Sequence, residues 1–321
     1  MVPLICAWEY FPEQKGLMTG IIIGAYGFGS FIFALISSHL VNPNKENPTI
    51  DGGNINYFTP DVADRVPYMI RTLAYIWSCF VLIAVILISR KPKERVKIFA
   101  VNTRAVDGLE AHRYELTQLK YCFLTKRFWQ YFSLMVFGNF FATFFSYSYK
   151  AYGEDSSLHT PISDQTLTWA ASIGSGLVNG VSRLVMGWSQ DKQSFRLLLS
   201  GLMLIQLVVS LSIYWVVSLP SMYFICVLLN YFSNGGLFAV FPGSVTNVFG
   251  LKFGPQVYTI ILLASIVSSC LNILMTDVLL PAAGFAACFY LGSFVTLLAL
   301  LVLWRFEERL DIENLKPWQY T

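Results

Sequence analysis

Arg183 is the residue whose chemistry is hardest to place. A charge-free run, 165–182, precedes it, and an arginine within a membrane helix is costly unless it faces a cavity or a partner. Its guanidinium is a planar fork of donors suited to a carboxylate; the alternative is a side chain snorkelling to the bilayer interface. One turn later, Gly187-x-x-x-Asp191 is followed by Lys192 and Arg196. The glycine permits close helix contact, and the aspartate can accept from backbone or basic groups at a helix end; a solvated loop is the plainer reading. Asn139, Tyr147 and Tyr149 on one apolar stretch, with Asn230, Tyr231 and Asn234 on another, are further candidates for a polar cavity. A buried amide in lipid needs a partner, so Asn230 and Asn234, one turn apart, should share an inward face. Bonding between helices explains any one of them equally well.

Other chemistries lack their residues. There is no P-loop, no GxSxG elbow, no HExxH and no carboxylate pair within one apolar run, so no enzyme and no cofactor is expected. Cys6, Cys79, Cys122, Cys226, Cys270 and Cys288 are scattered without a CxxC pair, and His39, His112 and His159 lie far apart. Such thiols read as apolar filler, and no metal site follows. Asp277, at the end of an apolar run, reads as a cap or an interface residue. Nothing points to nucleic acid.

The elements that must hold these residues are membrane helices. Of 321 residues, 55% are hydrophobic and 13% charged, where soluble domains carry about 25% charged. Charge-free runs occupy 16–44, 72–89, 128–149, 165–182, 197–251, 253–276 and 278–304. A span needs roughly 20 apolar residues, and 197–251 is broken at Leu219-Pro220. About eight spans follow: 17–40, 68–89, 129–149, 166–188, 197–217, 221–241, 256–277 and 282–304. The fold class expected is an all-α polytopic membrane protein whose first partner is the lipid bilayer. On the first span Gly16, Gly20, Gly24 and Gly27, with Gly29 and Ser30, form a small-residue face for close helix packing, and Gly174, Gly176 and Gly180 read the same way.

Orientation follows from Lys and Arg. One face carries Lys15, the basic residues of 90–127, Arg183, Lys192, Arg196, Lys252, Arg305, Arg309 and Lys316; the other carries only Lys45, Arg65, Arg71 and Lys150. Both termini and 90–127 are therefore expected in the cytoplasm. Within that segment 107–124 reads as a surface helix or as part of a solvated linker, and a polybasic stretch beside a span can bind anionic lipid. The 41–66 loop is rich in Asn, Pro and Gly, and its Asn47-Pro48-Thr49 is no glycosylation acceptor.

Two stretches are alike, one beginning at Glu9 and the other at Thr246. Each has an aromatic, a lysine and a glycine (Gly16, Gly254) opening a helix rich in small residues. Paired halves are common in secondary transporters. Tyr10-Phe11-Pro12-Glu13-Gln14-Lys15-Gly16 resembles the loop before the fifth helix of the oxalate/formate antiporter group, in the major facilitator superfamily and close to the monocarboxylate transporters. The run from Asn179 to Lys192 resembles that superfamily's turn between helices 8 and 9. Asn247-Val248-Phe249-Gly250-Leu251-Lys252-Phe253-Gly254 is similar to the loop before helix 11.

The resemblance implies a major facilitator-type bundle. A partial N-terminal bundle would occupy 1–89, matching helices 5 and 6 and lacking the first four. A central loop at 90–127 and a six-helix bundle at 128–304 would follow, with a tail at 305–321. It implies that Arg183 binds a substrate carboxylate and that Asn139, Tyr147, Asn230 and Asn234 line the central cavity. It further implies that Gly187, Asp191, Lys192 and Arg196 latch a cytoplasmic gate. Three departures matter. Asn179 stands where monocarboxylate carriers have an aspartate, 256–277 contains no Lys or Arg, and Gln193-Ser194-Phe195-Arg196 replaces the family's Gly-Arg after the aspartate. A monoanion or neutral solute is expected rather than oxalate. The function expected is alternating-access transport of a small organic anion, as part of a longer carrier or, if the chain is complete, as a homo-oligomer. A membrane structural or sensing protein without transport is the rival.

Overall fold

A computed structural model describes residues 2–44, 49–50, 56–57, 59–88, 119–155 and 161–306. Most of the basic linker (through residue 118), Lys45, Asn47 and the tail from 307 lie outside the described residues; 119–124, the end of the expected surface helix, is helical.

The helices are α1 (Val2–Tyr10), α2 (Lys15–Val41), α3 (Pro60–Ala63), α4 (Val66–Leu87), α5 (Lys126–Glu154), α6 (Asp164–Ser172), α7 (Asn179–Gln190), α8 (Phe195–Val216), α9 (Pro220–Ile261), α10 (Leu263–Leu274) and α11 (Leu280–Trp304). A two-residue ladder pairs Thr49 with Tyr57 and Ile50 with Asn56. Side-chain oxygens of Thr125 and Ser194 cap α5 and α8, accepting from Phe128 N and Leu197 N at 3.3 Å each. Pro220 opens α9, where the missing N–H is no loss.

This is an all-α polytopic membrane protein. Five helical lengths among the described residues are long and apolar enough to cross a bilayer: Lys15–Val41, Pro60–Leu87, Phe195–Val216, Pro220–Gly250 and Lys252–Trp304. The last holds two of the expected spans, 256–277 and 282–304, and reverses at Gly284, just inside the second of them rather than between them. The preceding reversal is at Gly250. Both glycines have positive φ, 77° and 74°, a conformation that a side chain resists. The two remaining expected spans are α5 and the α6–α7 pair. They carry more polar residues than the other lengths, some of which line one cavity, described below.

Two aromatic-rich cores show how the last six lengths run. One gathers Phe128, Tyr131, Phe195, Phe241, Phe249, Phe253, Leu303 and Phe306. The other gathers Phe145, Tyr152, Leu167, Ile213, Tyr223, Met275, Phe285 and Phe289. Successive lengths join them in alternate directions, an up-and-down bundle. Rings interlock in both: Tyr131 and Phe306 lie 4.9 Å apart, and Tyr152 and Phe289 4.8 Å. By contrast α4 leans on α2 through edge contacts of Phe33 with Trp77 and Phe80. Leu73 is its one buried residue, as suits a helix facing lipid.

Candidate functional site

The site is built where α2 crosses α7. The helices run antiparallel with glycines in register. A Cβ on Gly187 would lie 2.5 Å from the Gly16 carbonyl oxygen and 2.7 Å from Gly20 Cα. One on Gly20 would meet the Arg183 carbonyl oxygen at 2.7 Å, and one on Gly27 would meet Gly180 Cα at 2.8 Å. Only hydrogen at these positions lets the backbones approach so closely. Gly29, grouped with this face from the sequence, points away: a Cβ there meets nothing within 4 Å.

Asp191 closes one end of the seam. Its Oδ1 accepts from Gly16 N at 2.7 Å and its Oδ2 from Leu17 N at 2.8 Å. Gln14, at the N-cap of α2, makes no side-chain cap, so a carboxylate from another helix takes that place at the positive end of the α2 dipole. The partners are backbone amides, not basic side chains. Lys192 instead puts its Nζ over the Trp188 ring, 3.8 Å from the centroid, and Arg196 lies exposed in the first turn of α8. Fully buried Trp8 braces the same end, donating from Nε1 to the Lys15 carbonyl (3.1 Å) and Thr19 Oγ1 (3.0 Å).

Arg183 lies eight residues before Asp191, about 12 Å along the helix. It is 7% exposed. Nη1 donates to the Ile23 carbonyl at 3.0 Å, and the guanidinium faces the rings of Tyr26 and Phe238 at 5.3 and 5.9 Å. Ile23 and Tyr26 lie further along α2 from Gly16, so the side chain turns away from the Asp191 end rather than snorkelling toward it. Helical side chains lean toward their own N-terminus, and on α7 that direction leads into the bundle. No carboxylate among the described residues pairs with Arg183, and its Nε is buried without a partner.

The guanidinium forms part of a cavity of about 490 Å³, within the ~300–1,000 Å³ typical of small-molecule sites. Of the residues expected to line it, Asn139, Tyr147, Tyr231, Asn234 and Arg183 do so. Asn230 does not: its Nδ2 donates to the Ala142 carbonyl (3.2 Å) and Ser146 Oγ (3.0 Å), tying α9 to α5. Tyr149 is also outside; its carbonyl accepts from the Tyr223 hydroxyl at 2.5 Å. The sequence reading missed Tyr26, Ser30, Thr143, Ser146, Ser175 and Asn179 on the wall. Ser30 and Ser146 bond to carbonyls of their own helices, so nothing in the local sequence marks them. A π-helical turn, Ile173–Val178, separates α6 from α7 and sets Ser175, Asn179 and Arg183 on one wall; such turns occur frequently at functional sites.

Apicoplast pyruvate carrier 1 of Toxoplasma gondii is 24% identical to this chain over 281 residues, a match covering 77% of this chain and 50% of that protein. The likeness is to a carrier. The chain spans about half the length of this relative. No protein-family model matches the chain.

Proposed function

We propose that the protein moves a small organic anion, a monocarboxylate, across a membrane by alternating access, within a major facilitator-type fold. One observation carries this: a buried arginine without a carboxylate partner among the described residues sits on the wall of a polar cavity that Asn139 also lines. A guanidinium there is an anchor for a carboxylate brought by the solute. The named substrate of the Toxoplasma relative, pyruvate, supports the same solute class.

In this reading residues 1–89 form a partial N-terminal bundle, 90–127 a cytoplasmic linker, 128–304 the six-helix bundle and 305–321 a cytoplasmic tail. The basic excess on one face supports that orientation. Gly187 and Asp191 form the latch at the cytoplasmic end, with Lys192 and Arg196 beside it. Releasing Gly16 N and Leu17 N would let α2 part from α7 and open the cavity on that side.

Reconstituted protein, with any further chain it has in the cell, should take up labelled pyruvate. Arg183→Gln should lower uptake at least a hundredfold while the protein still inserts, and Arg183→Lys should restore little, because an ammonium lacks the fork. Uptake unchanged in Arg183→Gln would rule out the anchor.

A further inference from the structure

Four buried amides meet at the middle of α5, and one of them differs from the rest. Gln206 Nε2 donates to the Gly138 carbonyl at 3.0 Å, Asn272 Nδ2 to that of Phe140 at 3.2 Å, and Asn230 Nδ2 to that of Ala142 at 3.2 Å. These three, from α8, α10 and α9, brace their helices against α5. Asn139 lies among them, is 4% exposed, and makes no hydrogen bond among the described residues. Its Oδ1 is buried without a partner, as are the amide oxygens of Gln206, Asn230 and Asn272. Those three use their nitrogens on α5, whereas Asn139 alone of the four lines the cavity that holds Arg183.

An amide left unpaired in a membrane interior is unfavourable, and packing alone would be served by leucine. The amide of Asn139 is therefore placed for something that enters the cavity. An amide offers two donors and an acceptor, whereas Arg183 offers donors only. A carboxylate on Arg183 leaves Asn139 to meet a second oxygen. A 2-oxo group accepts from Nδ2, and a 2-hydroxyl accepts from Nδ2 or donates to Oδ1. An alkyl carboxylate of equal size leaves the amide unpaired, and a site with an unpaired buried polar group discriminates strongly against such an analogue.

We propose that Asn139 is the second recognition point of the cavity, and that it selects short monocarboxylates bearing a 2-oxo or 2-hydroxy oxygen over alkyl monocarboxylates. The proposal rests on Arg183 as the carboxylate anchor.

The test is equilibrium binding of radiolabelled pyruvate, lactate and propionate to the protein in lipid nanodiscs. The unaltered protein should bind pyruvate and lactate about tenfold more tightly than propionate. Asn139→Leu should weaken pyruvate and lactate about tenfold and propionate less than twofold, with a melting temperature equal or higher because an orphaned polar group is gone. Asn139→Ala reads the same ratio should the leucine variant fail to fold. Equal weakening of all three solutes, or an unchanged preference, overturns the proposal. Arg183→Gln separates it from the anchor. If that variant still binds pyruvate while Asn139→Leu has lost the preference, the anchor fails and the role of Asn139 stands. Absence of saturable binding of any of the three by the unaltered protein overturns both.

Discussion

Between α2 and α7 the contacts are backbone on backbone, glycine against glycine, and two hydrogen bonds to Asp191 close the row. Between α5 and α11 they are ring on ring. Phe289 lies 4.8 Å from Tyr152, 6.1 Å from Phe145 and 6.2 Å from Phe144, and Phe141 fits against Gly292. Interlocked rings fix register because sliding either helix drives side chains into each other. A glycine seam has no such interlock: at Gly16, Gly20, Gly27 and Gly187 it has no room for an added carbon, yet no side chains interdigitate across those positions. Arg183 is held by both kinds of contact, its Nη1 on the seam side at Ile23 and its guanidinium face against Phe238 of the bundle.

This contrast can be broken from either side. Phe289→Ala should have the largest effect on stability, about 3–5 kcal/mol for an emptied aromatic site, read as lower resistance to denaturant in detergent. Gly187→Leu should cost about 1–3 kcal/mol by overpacking, with a different signature. Limited proteolysis should release the segment before residue 126 while the α5–α11 bundle stays protected. If the bundle melts together with α2, the two interfaces are one cooperative unit and the contrast fails. Asp191→Asn keeps the shape but removes the charge at the α2 N-terminus, and should cost about 1 kcal/mol in the same assay. Gly29→Ala should be the smallest and of opposite sign, a gain of no more than about 1 kcal/mol. A loss there would mean that the seam is broader than the register from Gly16 to Gly27.

Asn230 and Asn234 illustrate the limit of reading this site from sequence. They are one turn apart on α9 and share a type, yet Asn230 ties α9 to α5 while Asn234 reaches the cavity. The difference is whether a carbonyl of α5 lies in reach, which depends on packing and not on α9. Tyr26 and Phe238 were missed for a related reason. An aromatic in an apolar run looks like core, and only the position of Arg183 makes these two its neighbours. Asp191 was legible as an acceptor at a helix end, but its partners, Gly16 N and Leu17 N, are far away in sequence.

The sequence by itself determined that the chain lies in a membrane, roughly where each helix runs, and which residues bring polarity into it. Hydrocarbon obliges each backbone to bond within its own helix, so helix formation is local and shows in composition. The tertiary structure alone decided which polar groups brace the bundle and which line the cavity. Gln206, Asn230 and Asn272 found carbonyls on α5; Asn139 and Arg183 found the cavity. Those partners come from helices distant in sequence, and only packing brings them together.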